Sequence, residues 1–164
     1  MPEQLVVREL RKRFGGVVAL NAIELSVEAG ELVGLIGPNG SGKTTLLNII
    51  SGYYNADGGT IGYDGKAIAG MSPHRLARIG IGRSFQVTKV FRRLTVLENM
   101  LVSGLSDWSA SRPAATERAM AVLADLNLTR LAHERAGNLS GGQAKLLEFA
   151  RIMMLQPKLV LLDE

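Results

Sequence analysis

A short apolar run at residues 32–36, Leu-Val-Gly-Leu-Ile, passes without a break into Gly37-Pro38-Asn39-Gly40-Ser41-Gly42-Lys43-Thr44. The run has the length and composition of a strand buried on both faces of a parallel sheet. Residues 43–50, Lys-Thr-Thr-Leu-Leu-Asn-Ile-Ile, resume as a helix. The turn between them fits the pattern G-x-x-x-x-G-K-[ST], in which glycines let the backbone curl until successive N–H groups point at phosphate oxygens. The helix that follows turns its unpaired N–H groups and positive dipole end toward the same anion. In such a turn Lys43 reaches the β- and γ-phosphates and the Thr44 hydroxyl ligates magnesium. Strand, glycine turn and helix in this order open an α/β fold.

The rest of the chain can be laid out around that unit. Residues 5–10 and 23–27 read as short strands separated by a turn at Gly15-Gly16, and Glu28-Ala29-Gly30-Glu31 is another turn. After a turn-rich loop at 53–59, residues 60–63 form a strand, and Asp64-Gly65 makes a tight hairpin into residues 66–68. Ser72 followed by Pro73 marks a helix start, with the hydroxyl capping and proline in the first turn. That helix ends near Gly80, before a strand at 81–86. Thr95 and Glu98 have capping-box spacing at the head of the next helix. A further helix covers residues 114–126, with Ser111-Arg112-Pro113 as a flexible connector ahead of it. A third helix runs over 140–155 and stops before Pro157. On a helical wheel its charged residues Lys145, Glu148 and Arg151 share one wedge, opposite Leu146, Leu147, Ala150, Met153 and Met154, so this helix is mostly buried. Residues 159–162 read as a last core strand, ending in Asp163-Glu164.

Four further places carry candidate chemistry. Leu139-Ser140-Gly141-Gly142-Gln143 opens the third helix, and Ser140 and Gln143 have capping-box spacing. Two glycines in a first turn weaken a helix by about 1 kcal/mol each relative to alanine. They make sense if a backbone must come close to something, and exposed N–H groups beside a hydroxyl form an anion site; a well-made helix start explains the capping pair equally well. Asp163 and Glu164 end an apolar strand, where a carboxylate can sit near a metal through its water shell and a second can lie beside an attacking water. Gln86, after Arg83-Ser84-Phe85, ends a strand at the edge where α/β folds place ligand contacts, and could meet magnesium or the water. Phe14, between Arg13 and Gly15, has a face on which adenine could stack, or it is simply a core aromatic.

Composition removes other classes. The chain has no cysteine, which excludes disulfides, thiol chemistry and cysteine-held zinc, and its two histidines, His74 and His133, lie far apart. The net charge of +4 is scattered rather than gathered into runs, which argues for a solvated surface and against a nucleic-acid partner. The first residues lack a secretory pattern, and no stretch reaches the 18 or more apolar residues that span a bilayer. Any membrane role must therefore pass through a partner.

GPNGSGKTT, SFQ, LSGGQ and LVLLDE, in that order, resemble the nucleotide-binding subunit of ATP-binding-cassette transporters, over the whole chain and most specifically at LSGGQ. Within that family RFGGVVALN, GIGRSFQ and FRRLTVLENM are similar to the ATPases of branched-chain amino-acid importers, although Ser84 stands where that group carries threonine. The resemblance implies an α/β P-loop NTPase core with an N-terminal antiparallel β part and a helical subdomain. It places residues 1–92 and 158–164 in the core and β part, and residues 93–157 in the helical subdomain. Phe14 becomes the adenine-stacking residue, and Gly37, Pro38, Asn39, Gly40, Ser41, Gly42, Lys43, Thr44 and the adjoining Thr45 become Walker A. Gln86 becomes the Q-loop residue near the membrane subunits, and Ser140, Gly141, Gly142 and Gln143 the signature. Asp163 takes the Walker B role, as a metal residue with Thr44 and Gln86, and Glu164 is the catalytic glutamate. ATP and Mg2+ are the implied cofactors. The implied partners are a second ATP-binding subunit, paired head to tail, the transmembrane permease subunits and, indirectly, a substrate-binding protein; the implied location is peripheral, at the cytoplasmic face of the inner membrane.

The family pattern continues beyond Glu164 with a proline, a loop, another core strand and a switch histidine. A chain without them is expected to lack C-terminal core strands, to expose apolar surface and to hydrolyse ATP poorly. Two alternatives stand beside the importer reading: a short chain that binds ATP without turnover, and a cassette ATPase outside transport.

Overall fold

The computed structural model describes residues 3–84, 90–104 and 111–163, and the chain divides into two compact units, Met1–Ile79 and Gly80–Glu164. The first unit opens with two strands, β1 (Glu3–Phe14) and β2 (Val17–Glu28), joined at Gly15-Gly16. Each is 12 residues long, twice the length that the apolar stretches suggest. The reason is pairing: the antiparallel ladder runs from Glu3 opposite Glu28 to Phe14 opposite Val17, so polar ends are carried by backbone bonds rather than by burial. Irregularities between Val7 and Arg13 bend β1. Strand β3 (Gly58–Tyr63) pairs with the other side of β1, and β4 (Lys66–Ala67) follows through Asp64-Gly65. Both turn residues have positive φ, 46° and 74°, as a type I′ hairpin needs. The sheet order is β2-β1-β3-β4, and Leu5, Val7, Leu10, Leu20, Val27, Ile61 and Tyr63 are its buried side chains.

Two helices belong to this unit. Helix α1 (Lys43–Ile50) buries Leu46, Leu47, Ile49 and Ile50. Helix α2 (Pro73–Arg78) starts at Ser72-Pro73, but the Ser72 hydroxyl makes no capping bond. Proline's fixed φ alone sets that start.

Residues 32–36 correct a strand expectation. They adopt no strand, and Leu32 and Ile36 are 96% and 99% exposed. A strand exists only through its ladder, and none of the described strands pairs with this segment.

The second unit contains the only parallel pair among the described residues, β5 (Ile81–Arg83) beside β6 (Leu159–Leu161). Three helices carry most of its core: α3 (Val96–Gly104), α4 (Arg112–Asp125) and α5 (Gly141–Met153). Val96 and Met100 from α3, Ala119 and Leu123 from α4, and Leu147, Ala150 and Met154 from α5 and its C-terminal cap form one buried cluster. The Thr95 and Glu98 capping box is made: the Thr95 N–H donates to Glu98 Oε2 at 2.7 Å and the Glu98 N–H to Thr95 Oγ1 at 3.1 Å. The Thr95 N–H first, then the Thr95 hydroxyl donating to the same oxygen at 3.0 Å, hold the Glu98 carboxyl below its ordinary range. Ser111 is not part of a connector but the N-cap of α4, with Arg112 and Pro113 in the first turn.

Along α5 the wheel is partly inverted. Glu148 is buried, at 8% exposure, whereas Leu146 is 41% exposed. Of the charged wedge, Lys145 stays exposed, whereas Arg151 donates to Ser103 Oγ of α3 at 3.4 Å and sets its guanidinium 5.0 Å from the Phe91 ring centroid.

Candidate nucleotide-binding site

The glycine turn of the first unit is built by its own chain. The Ser41 N–H donates to the Pro38 carbonyl at 3.2 Å, and the Leu46 N–H donates to the Gly42 carbonyl at 2.8 Å to begin α1. Gly40 and Gly42 have φ of 81° and 94°, the left-handed region that side chains avoid. Gly42 is fixed a second way, since a Cβ there would lie 2.6 Å from the Ala19 carbonyl of β2. As the N-cap of α1 it offers no side chain to the first-turn N–H groups. Lys43 folds back over the loop: its Nζ donates to the Gly37 carbonyl at 2.8 Å and to the Pro38 carbonyl at 2.9 Å. The turn therefore brings an ammonium and a helix N-terminus to the segment Gly37-Pro38-Asn39-Gly40-Ser41-Gly42, followed by Thr44 and Thr45. This is the arrangement that receives a polyphosphate.

Phe14 ends β1, on the ladder with the strand against which that turn packs. It pairs with Val17, two residues before Ala19, against which Gly42 packs. The Phe14 ring is 42% exposed rather than in the core.

The pattern of residue types does not reveal what surrounds Phe14. Tyr54, from the loop after α1, meets the Phe14 ring at 5.3 Å between centroids and 72° between planes. Lys12 Nζ stands 5.3 Å from the same centroid. Asp57 holds Lys12, accepting from its Nζ at 2.8 Å and from the Arg13 N–H at 2.7 Å. The Lys12 ammonium first, then the Arg13 N–H, keeps the Asp57 carboxyl below the usual carboxylate range. The available signal was an aspartate just before Gly58-Gly59, which in sequence reads only as a turn former.

In the second unit, Ser140 caps α5 with a complete capping box. The Gln143 N–H donates to Ser140 Oγ at 3.3 Å and the Ser140 N–H to Gln143 Oε1 at 2.9 Å. Gly141 and Gly142 are exposed, and a Cβ at either would meet nothing within 4 Å. Among the described residues, no close approach requires those two glycines.

Asp163 is engaged by neighbours of its own unit. Arg83 Nη2 lies 3.1 Å from Asp163 Oδ2, with both side chains about nine-tenths buried, and the Asp163 N–H donates to Ser84 Oγ at 3.2 Å. Among the described residues no group of three or more metal-ligating side chains gathers. Gln86 and Glu164 lie outside the described residues. Between α3 and α5 there is an opening of about 570 Å3, lined by Arg83, Val90, Phe91, Ser103, Glu148, Arg151, Ile152 and Leu155. Sequence patterns missed it because its charged residues sit among apolar neighbours.

Comparisons with known proteins place the chain in a family. The family described as ABC transporter matches residues 20–164. The chain is 42% identical to a probable branched-chain amino acid transport ATP-binding protein of Archaeoglobus fulgidus, over 98% of its own length and 66% of the relative's. It is 41% identical to a high-affinity branched-chain amino acid transport ATP-binding protein of Pseudomonas aeruginosa, over 98% and 68% of the two chains. Among solved structures, a dimeric ATP-binding cassette in a post-hydrolysis state, bound to ADP and Pi, matches with a TM-score of 0.84 and 29% identity over 98% of this chain and 73% of that one. The chain thus spans about two thirds of the length of the curated relatives it matches. From the curled lysine-bearing turn, the capped glycine helix and these likenesses together, the chain belongs to the ABC transporter family.

Proposed function

We propose that this chain is the ATP-binding part of an ATPase subunit that powers solute import through a membrane permease, with branched-chain amino acids as cargo. The observation that carries the reading is the Gly37–Thr44 turn, with its left-handed glycines and Lys43 ammonium drawn onto its own carbonyls. Bound ATP would take that ammonium onto its β- and γ-phosphates and stack its base on Phe14. Magnesium takes hard oxygen ligands, and the Thr44 hydroxyl and Asp163 carboxylate are of that kind. Asp163 would act through the ion's water shell, and Lys43, Gln86 and Glu164 would serve the hydrolytic step, the glutamate beside the attacking water. The ion would spread the charge that develops during phosphoryl transfer.

The open backbone at Gly141 and Gly142 supports a role for Ser140, Gly141, Gly142 and Gln143 in a second chain's site. Two subunits would pair head to tail, each ATP lying between the turn of one and the signature helix of the other, and the solved relative that is a dimer bound to ADP and Pi favours such pairing. Coupling to the permease would pass through Gln86 and the helical stretch from Thr95 to Leu126. On this reading residues 1–92 and 158–164 form the nucleotide-binding core and residues 93–157 the helical subdomain. The subunit would attach peripherally to the permease at the cytoplasmic face; no helix among the described residues is long and apolar enough to cross a membrane. Cargo is named from the relatives, which carry branched-chain amino acid transport in their names.

The test is calorimetric titration of Mg·ATP into the wild-type chain and into Lys43→Ala. The variant is expected to bind at least about a hundredfold more weakly, since a charge-assisted contact to phosphate is lost. Equal affinity in the two proteins would remove the phosphate-turn assignment.

A further inference from the structure

We propose that Asp57, with Tyr54, is a positioning residue for base recognition: its carboxylate clamps the end of β1 and sets the Phe14 ring as a stacking platform for adenine. The inference rests on the nucleotide reading above and adds to it the residues that fix the ring.

Asp57 makes three bonds to three successive residues of β1. Its N–H donates to the Arg11 carbonyl at 2.9 Å, Lys12 Nζ donates to Oδ1 at 2.8 Å, and the Arg13 N–H donates to Oδ2 at 2.7 Å. The last of these matters because β3 begins only at Gly58, opposite Arg11, so no β3 residue pairs with Arg13. The carboxylate continues the ladder past the end of the strand. Phe14 is the next residue: Val17 of β2 pairs with it on one side, and the Asp57 bond holds the residue before it on the other.

The ring itself is held from two directions. The Lys12 ammonium, positioned by Asp57, lies near the Phe14 ring, and Tyr54 meets the ring edge-on. Tyr54 is placed by a backbone bond of its own, its N–H donating to the Asn48 carbonyl of α1 at 3.3 Å. An isolated phenylalanine on a hairpin tip would turn freely, and a base stacking on it would have to order it. A ring already fixed avoids that ordering entropy, which is how preorganisation raises affinity. A clamp built from one carboxylate, one lysine and one tyrosine around a half-exposed aromatic is more than the sheet needs for its own stability. Both Phe14 and Tyr54 remain over two-fifths exposed.

The measurement that separates positioning from mere structural support is selectivity. Mg·ATP and magnesium tripolyphosphate, which has the phosphates but no base, are titrated into the wild-type chain, Phe14→Ala, Asp57→Ala, Asp57→Asn, Tyr54→Ala and Tyr54→Phe. The wild type is expected to prefer ATP. Asp57→Ala should lose about tenfold in ATP affinity, a stacking-sized effect, and keep tripolyphosphate affinity within about twofold. Asp57→Asn, which retains an acceptor for the Arg13 N–H, should lose less, Tyr54→Ala should lose several-fold, and Tyr54→Phe should match the wild type. If Asp57→Ala does not fold, the exposed Tyr54→Ala and the near-isosteric Asp57→Asn carry the same prediction. Equal weakening of both ligands, or unchanged ATP binding, overturns the proposal while leaving base stacking intact, provided Phe14→Ala still loses the preference for ATP. A wild type that binds ATP and tripolyphosphate alike overturns base stacking and the clamp together.

Discussion

The helix that starts at Lys43 and the helix that starts at Gly141 both begin in glycine, but their glycines answer to different constraints. At the first, φ is 94° at Gly42, and a Cβ would meet the Ala19 carbonyl at 2.6 Å. At the second, Gly141 and Gly142 have ordinary φ and open space around them, and a serine and a glutamine already cap the helix. The Gly42 turn is completed by the chain itself, including a lysine that fills it. The Gly141 start is finished as a helix, yet it keeps two residues that weaken it, and no close approach among the described residues accounts for them. A glycine pair can thus mean backbone geometry in one place and room for a visitor in another.

That contrast can be broken by substitution. The largest effect is expected at Gly42→Ala, where left-handed strain and overlap with Ala19 together destabilise by about 3 kcal/mol; urea unfolding of the first unit would show it, and an unchanged midpoint would deny the close approach. Ser140→Ala comes next, with the cap lost and about 1 kcal/mol of stability with it, visible in the second unit's unfolding. Gly142→Ala is smallest and opposite in sign, stabilising by somewhat less than about 1 kcal/mol. The same variant should lose ATP-dependent pairing in sedimentation experiments, because the added methyl projects where a second chain's nucleotide would come. A Gly142→Ala protein that is both destabilised and still pairs would erase the distinction between the two helix starts.

How much of this could be read beforehand differs along the chain. The turn at 37–44 and the capping pairs at Thr95 and Ser140 were legible because each is a local rule: a few residues satisfy their own backbone. Residues 32–36 were misread as a strand because the composition of a buried strand says nothing about whether a ladder partner is present. Strands β1 and β2 were underestimated for the converse reason, since a good ladder carries polar residues such as Arg13 and Glu28 to its ends. Helix α5 defeated the wheel because Arg151 finds an aromatic face and a serine within its own unit, which lets charge sit where only apolar side chains were expected. Asp57 was invisible because its partners lie more than forty residues upstream, and no pattern of residue types links positions that far apart.

The exposed segment from Leu32 to Ile36 has a consequence for how this protein behaves in solution. Its Leu32 and Ile36 side chains are almost wholly exposed and it joins no ladder among the described strands, features by which chains recognise and stick to one another. A net charge of only +4 gives little mutual repulsion to hold copies apart. Concentrating the chain therefore favours clumping unless a strand from elsewhere, or a chaperone, occupies that ribbon first.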